Sequence, residues 1–222
     1  MISEEAGNRR QDRAVIMARG LSARMGVPKG LLRLSPTGPA FVRIIADLYR
    51  NAGLPVDVVT RAETAEDYRN ELADGDDIRI LPADAGGDTA LTLLYAWRSC
   101  LAAGLPCSHF WAHPVDLPLV SEVTVERMMD HSQGNPDRII RPVRQGTPGH
   151  PVILPLDVLD VLDRQEPWQG GPVRDFLSYG GEQGLFPGPL TVEVEDAGIV
   201  RDFDRPEDFS PDQSSEQERG AP

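Results

Sequence analysis

The sequence predicts an α/β fold with a mainly parallel central sheet, and three observations carry that prediction. Short apolar or β-branched runs alternate with longer stretches of helical spacing between residues 14 and 143. Glycines stand where two of those stretches should stop, at Gly53 and Gly104. A length of 222 residues with 40% apolar composition suits one domain with a substantial core.

The elements follow in order. Ala14-Val15-Ile16-Met17 is an unbroken apolar run, read as a buried strand. Phe41 to Asn51 carries apolar residues at helical spacing. Val56 to Thr60 is β-branched and strand-like, Ala65 to Leu72 is a short helix, and Ile78 to Leu81 is a strand. Thr89 to Ala103 is a strongly apolar helix, His109 to Ala112 a strand, and Ser121 the N-cap of a helix through His131. Arg138 to Val143 is a further strand. The region 143–190 is rich in Gly and Pro and is expected to form a less regular lobe packed on the sheet. One domain is expected over 13–209, without internal repeats. Residues 1–12 and 210–222 are expected to be disordered, since Ser210 to Pro222 offers nothing to bury. Strands alternating with helices imply right-handed βαβ units, whose ligands bind at the carboxyl ends of strands. That rule brings together the loop after Met17 and the loop after Ala112.

Composition narrows the function. A net charge of −13 argues against nucleic acid and anionic membranes as partners, because both need a basic footprint. No apolar run approaches the ~20 residues of a membrane span. Met1 to Asp12 has no apolar signal-peptide core, and Cys100 and Cys107 lack metal or redox spacing. These features predict a reduced, cytoplasmic protein. A small phosphorylated ligand stays compatible with the acidity, because a local cluster of Arg24, Lys29 and helix N-termini can oppose the global field.

Lys29 is the only lysine among 22 basic residues, and it ends a glycine-punctuated loop from Ala18. Lysine offers a compact point charge where arginine offers a wide fork. Gly20 and Gly26 let backbone amides approach a ligand closely. The loop matches neither the Walker A pattern nor Gly-x-Gly-x-x-Gly. On these grounds it reads as an anion-binding loop or as an ordinary βα turn.

The run Val15-Ile16-Met17-Ala18-Arg19-Gly20-Leu21-Ser22-Ala23-Arg24-Met25-Gly26-Val27-Pro28-Lys29 resembles the nucleotide loop of the MobA-like nucleotidyltransferases, usually Leu-Ala-[Ala/Gly]-Gly-x-[Ser]-x-Arg-Met-Gly-x-x-Lys. His113-Pro114-Val115-Asp116-Leu117-Pro118 resembles the family's metal-binding element. Gly149-His150-Pro151-Val152 and Gly171-Pro172-Val173-Arg174 resemble elements of its molybdenum-cofactor cytidylyltransferase (MocA-like) branch. Asp202-Phe203-Asp204-Arg205-Pro206-Glu207-Asp208 resembles the closing segment. The resemblance runs from Ala14 to Phe209. It departs at Arg19, where Ala or Gly is usual, at Gly170, where an Asp is common, and at Arg205, which replaces Thr.

The resemblance implies a Rossmann-like three-layer nucleotidyltransferase fold and a Mg²⁺-dependent transfer of a nucleoside monophosphate to a phosphorylated acceptor. Met17, Ala18, Arg19, Gly20, Ser22, Gly26 and Lys29 would bind the nucleotide, with Arg24 and Lys29 catalytic. Asp116 and Asp204 would hold Mg²⁺, with Asp202 the alternative to Asp204. His150 and Arg174 would meet the acceptor. CTP and molybdopterin, or its molybdenum-loaded form, are the implied pair, with a molybdoenzyme or chaperone as a further partner. GTP, or a sugar-phosphate acceptor, is the alternative. A nucleotide-binding regulatory relative without turnover is the alternative of another class, motivated by Arg19, Gly170 and Arg205.

Overall fold

The computed structural model describes residues 12–20, 27–75, 77–84, 88–164, 173–203 and 208. The strands among them are β1 (Arg13–Met17), β2 (Val56–Arg61), β3 (Ile78–Ala83), β4 (His109–Pro114), β5 (Ile140–Arg144), β6 (Thr147–Pro148), β7 (Val152–Pro155) and β8 (Leu190–Glu193). They form one sheet in the order β3-β2-β1-β4-β7-β5-β6, and β8 pairs with β5 off that path. The pairs β1–β2, β1–β4, β2–β3 and β5–β8 are parallel, whereas β7 and β6 run antiparallel to their neighbours.

Helices cover both faces. On one side lie α1 (Phe41–Asn51), α2 (Ala65–Glu71) and α4 (Glu122–Gly134). On the other lie α3 (Thr89–Ala102), α5 (Leu156–Arg164) and α6 (Val173–Glu182). The strand β1 shows why its sequence is apolar throughout: Ala14 and Ile16 enter the core under α1, while Val15 and Met17 enter the core under α3. The helix α1 turns Val42, Ile45, Ala46 and Tyr49 onto the sheet at helical spacing. Gly53 and Gly104 have φ of 76° and 60° and follow the ends of α1 and α3, conformations that L side chains rarely adopt. Ser121 caps α4 by accepting from the Thr124 N–H at 3.3 Å, and Asp88 caps α3 by accepting from Leu91 N–H at 3.0 Å.

The segment 143–190 corrects one expectation. Its described residues are not an irregular lobe: β7 inserts into the main sheet between β4 and β5, and α5 and α6 complete one helical layer. The reason is physical. Val152–Pro155 is a four-residue apolar strand framed by prolines, and Pro ordinarily argues against a central strand. The last expected strand also runs Ile140–Arg144 rather than from Arg138.

Buried polar groups fix the end of the sheet opposite the carboxyl edge. Asp57 on β2 is fully buried and accepts from Arg79 through two bonds of 2.8 Å and from Arg13 at 3.3 Å. Burial works to raise the Asp12 pKa, but hydrogen bonds from His109 and Trp111 outweigh it and hold the carboxyl below its ordinary value. These pairings lock β1, β2, β3 and β4 in register and leave the carboxyl edge for ligands.

Candidate active site

The register of β1 against β4 places Met17 beside Pro114, so the two expected loops leave the sheet side by side. Three backbone carbonyls at and just after the end of the strand are occupied within the protein. Met17 O accepts from the Val115 N–H at 3.3 Å, Ala18 O from the Tyr68 hydroxyl at 3.4 Å, and Arg19 O from Arg61 Nε at 2.8 Å. The Ala18 N–H donates to Val59 O. The amides of Arg19 and Gly20 have no acceptor among the described residues. Among the described residues of this loop, the Arg19 and Gly20 amides are therefore free to donate, which suits an anion or the acceptor edge of a base.

Lys29 opens a short 3-10 turn, Lys29–Leu31, and its Nζ lies 3.0 Å from Asp116 Oδ2. Two glycines flank this pair, and Gly30 is the one sterically required. Gly20 lies against the Lys29 stem, a Cβ there being 3.7 Å from Lys29 Cδ. Gly30 is wedged between α2 and the β4 loop, where a Cβ would stand 2.6 Å from Tyr68 Oη and 2.9 Å from Val115 Cγ2. Only glycine lets the lysine-bearing turn approach the aspartate-bearing one. Tyr68 is thus a positioning residue, and burial pushes its hydroxyl up to about 12, so it stays protonated.

The Asp116 turn is held from below and from the side. His113 is fully buried, and burial pushes it down to about 4, so its ring is neutral at pH 7. The neutral ring satisfies both neighbours when Nδ1 accepts from the Tyr49 hydroxyl at 2.8 Å and Nε2–H donates to Leu117 O at 3.0 Å. Phe203 N–H donates to Asp116 O at 3.0 Å, and its ring packs edge-on against Phe41 with centroids 5.4 Å apart. Phe203, from the expected closing segment, therefore docks beside Asp116.

His150 heads β7, its N–H donating to Ile199 O at 2.9 Å. Its Nδ1 is buried without a hydrogen-bond partner among the described residues. Burial, with Arg141 close by, pushes the ring down to about 4. Arg174 stands exposed in the first turn of α6, its Nε 3.3 Å from Asp175 Oδ1. Arg19 turns the other way, toward the β3–α3 connection, where its guanidinium donates to Asp84 O and, at 3.3 Å, to Thr92 Oγ1. The structure thus brings Met17, Ala18, Gly20, Lys29 and Asp116 together. Arg19 lies at one flank, toward α3, and His150 lies near Asp116; Arg174 follows Val173, whose N–H donates to Thr89 Oγ1 at the start of α3. Ser22, Arg24, Gly26 and Asp204 lie outside the described residues. Sequence reasoning missed Tyr68, Phe203 and the supporting role of His113, because each acts through an element far away in the chain.

Among the described residues no group of three or more His, Cys, Asp or Glu side chains could hold a metal ion. Asp116 nevertheless has the chemistry of a cation ligand: its side chain is 24% exposed, and it faces an ammonium at 3.0 Å. One carboxylate completed by substrate phosphate oxygens is a fitting donor set for a hard dication. No helix among the described residues is long and apolar enough to cross a membrane.

The chain matches the family model of the MobA-like NTP transferase domain over residues 14–183. A comparison with curated protein sequences finds no match. Among solved structures it is similar to Rv0371c of Mycobacterium tuberculosis, at 24% identity and a TM-score of 0.66, covering 90% of this chain and 96% of that one. A second structure of that protein is a complex with manganese, at 21% identity and a TM-score of 0.64 over the same shares. A nucleotidyl transferase from Methanothermobacter, Mth528, matches at 23% identity and a TM-score of 0.69, over 90% and 94% of the two chains. Molybdopterin-guanine dinucleotide biosynthesis protein A from Archaeoglobus fulgidus matches at 13% identity and a TM-score of 0.63, over 89% and 94%. These likenesses share the fold, and the family model, which spans most of the chain including the Lys29 loop and Asp116, shows that the protein belongs to the MobA-like NTP transferase family.

Proposed function

We propose that this nucleotidyltransferase moves a nucleoside monophosphate from CTP to a phosphorylated acceptor of the molybdopterin type. The observation that carries the reading is the Lys29–Asp116 pair at the shared crest of β1 and β4, with the Arg19 and Gly20 amides unpartnered among the described residues and His150 near Asp116. The triphosphate lies across the Arg19 and Gly20 amides, with Lys29 against the α-phosphate and the departing pyrophosphate. An oxygen of the acceptor phosphate attacks the α-phosphorus, the bond from that phosphorus to the bridging oxygen breaks, and pyrophosphate leaves with the electron pair. An acceptor phosphate is already anionic at neutral pH, so no general base is needed, and positioning with charge neutralisation lowers the barrier.

Asp116 would hold a Mg²⁺ ion, with Asp204 as its expected companion, and the ion would supply charge neutralisation at the phosphates. GTP is the second reading of the donor, favoured by the Archaeoglobus structure of like fold. The test is thermal stabilisation by CTP, GTP, ATP and UTP, with and without Mg²⁺. Ligand at ~100 times its dissociation constant stabilises by roughly 2.7 kcal/mol. Selective, Mg²⁺-dependent stabilisation by CTP is the expected result; selectivity for GTP moves the donor to the second reading, and no shift with any nucleotide contradicts both.

A further inference from the structure

We infer that Arg141 anchors the phosphate of the acceptor, so that the sheet crest beyond β4 is a site for a phosphate monoester. The inference rests on the transfer reading above and adds a residue to which neither the motifs nor the family match gives a role.

Arg141 lies on β5 and is half-buried. Its Nε donates to Gly149 O at 3.3 Å, the carbonyl just before His150. Ten arginines among the described residues have a carboxylate within ion-pair distance; Arg141, like Arg19, Arg127, Arg138 and Arg144, has none among those residues, and its hydrogen-bond partner is the Gly149 carbonyl. Its charged neighbours aggravate the position. Burial lowers the Arg141 pKa, and Arg174 lowers it further; Arg141 in turn depresses His150. Arginine stays charged at any working pH, so this guanidinium is held half-desolvated, and the exposed Arg174, itself paired with Asp175, adds a further positive charge. Arg174 adds its charge in the first turn of α6, the end where the helix dipole is already positive. One dianionic ligand relieves all of these costs, and a guanidinium fork matches phosphate oxygens bidentately.

Topology assigns that phosphate to the acceptor. In the order β1-β4-β7-β5, the donor loop leaves β1, Asp116 follows β4, and Arg141 lies two strands beyond β4. Two strand spacings are about 10 Å, so Asp116 stands between the two groups of cations. A donor phosphate at Lys29 and an acceptor phosphate at Arg141 approach Asp116 from opposite sides.

The experiment uses the full chain, with inorganic phosphate and Mg²⁺-CTP as probes. Phosphate binding is read by ³¹P line broadening, CTP binding by titration calorimetry, and folding by the melting temperature. Arg141→Gln should weaken phosphate binding by ~10–100-fold, the weight of a charge-assisted hydrogen bond. CTP affinity should stay within about twofold of wild type, and the melting temperature should hold or rise, since a desolvated charge is removed. Arg141→Lys, which keeps the charge but loses the fork, should fall between. Unchanged phosphate binding in both variants overturns the proposal, as does a parallel loss of CTP affinity, which would make the phosphate the donor's. A melting temperature that drops with phosphate binding intact also overturns it, making Arg141 a structural residue. Wild-type protein that binds CTP but no phosphate overturns it while sparing the transfer reading. Wild-type protein that binds phosphate through Arg141 but binds no nucleotide contradicts the transfer reading instead.

Discussion

Replacing Lys29 with alanine separates catalysis from folding in a way the geometry allows to be sized. Lys29 and Asp116 meet at 3.0 Å with side chains 18% and 24% exposed, so water screens the resting pair. Exposed or partly exposed ion pairs contribute at most about 1 kcal/mol, and Lys29→Ala should lower stability by no more than that. The transition state asks more of the same ammonium. Charge gathers on the α-phosphate and the leaving pyrophosphate, beside a group already held in place by Gly20 and Gly30. Losing one such preorganised contact costs on the order of 10²–10³ in kcat, or roughly 2.7–4 kcal/mol. The kinetic effect therefore exceeds the stability effect about threefold or more. The assay is steady-state pyrophosphate release from CTP with Mg²⁺ and molybdopterin, alongside a thermal melt. Lys29→Arg should not restore the rate, because a planar fork does not replace a compact ammonium whose stem runs along Gly20. A kcat for Lys29→Ala within about fivefold of wild type, less than 1 kcal/mol in barrier, would refute the reasoning.

Other positions make independent predictions. Asp57→Asn leaves the Arg13 and Arg79 charges without their carboxylate and should cost roughly 3–5 kcal/mol, measured as a lower urea midpoint. Gly30→Ala drives a methyl into Tyr68 and Val115 and should cost about 1–3 kcal/mol, with weaker nucleotide binding in a titration because the Lys29 turn is displaced. His113 and His150 take up protons near pH 6.5 when unfolded and near pH 4 when folded. Their stabilising effect is full above pH 6.5 and declines between those values by about 1.4 kcal/mol per pH unit for each histidine. Urea titrations from pH 7 to pH 4.5 should show this fall, and His113→Gln should make it shallower.

Much of this architecture was legible in the chain because local rules governed it. Phe41–Asn51 combined an amphipathic period with a stop at Gly53, and the structure reproduces both. The strand–helix alternation through β4 encoded the parallel half of the sheet. The antiparallel insertion of β7 was not legible, because four apolar residues between prolines carry no period and their place depends on β4 and β5. The same contrast holds at the site. Lys29, Asp116 and His150 stood in contiguous motifs, whereas Arg141 stood in none. Its proposed meaning comes from its half-buried place against the Gly149 carbonyl beside His150, which folding alone creates. Tyr68 was equally silent in sequence, since its role depends on Gly30 approaching from another element.

The central claim is that Lys29 and Asp116 act together in nucleotidyl transfer. Its most direct test is pyrophosphate release by wild-type protein and by Asp116→Asn, with each nucleoside triphosphate, Mg²⁺ and molybdopterin present. Wild type should release one pyrophosphate for each nucleotidylated acceptor formed. Asp116→Asn should bind the free nucleotide but lose at least about 10²-fold in turnover, the weight of a group acting on transition-state charge. Nucleotide binding without pyrophosphate release by wild type, or full turnover by Asp116→Asn, would contradict it.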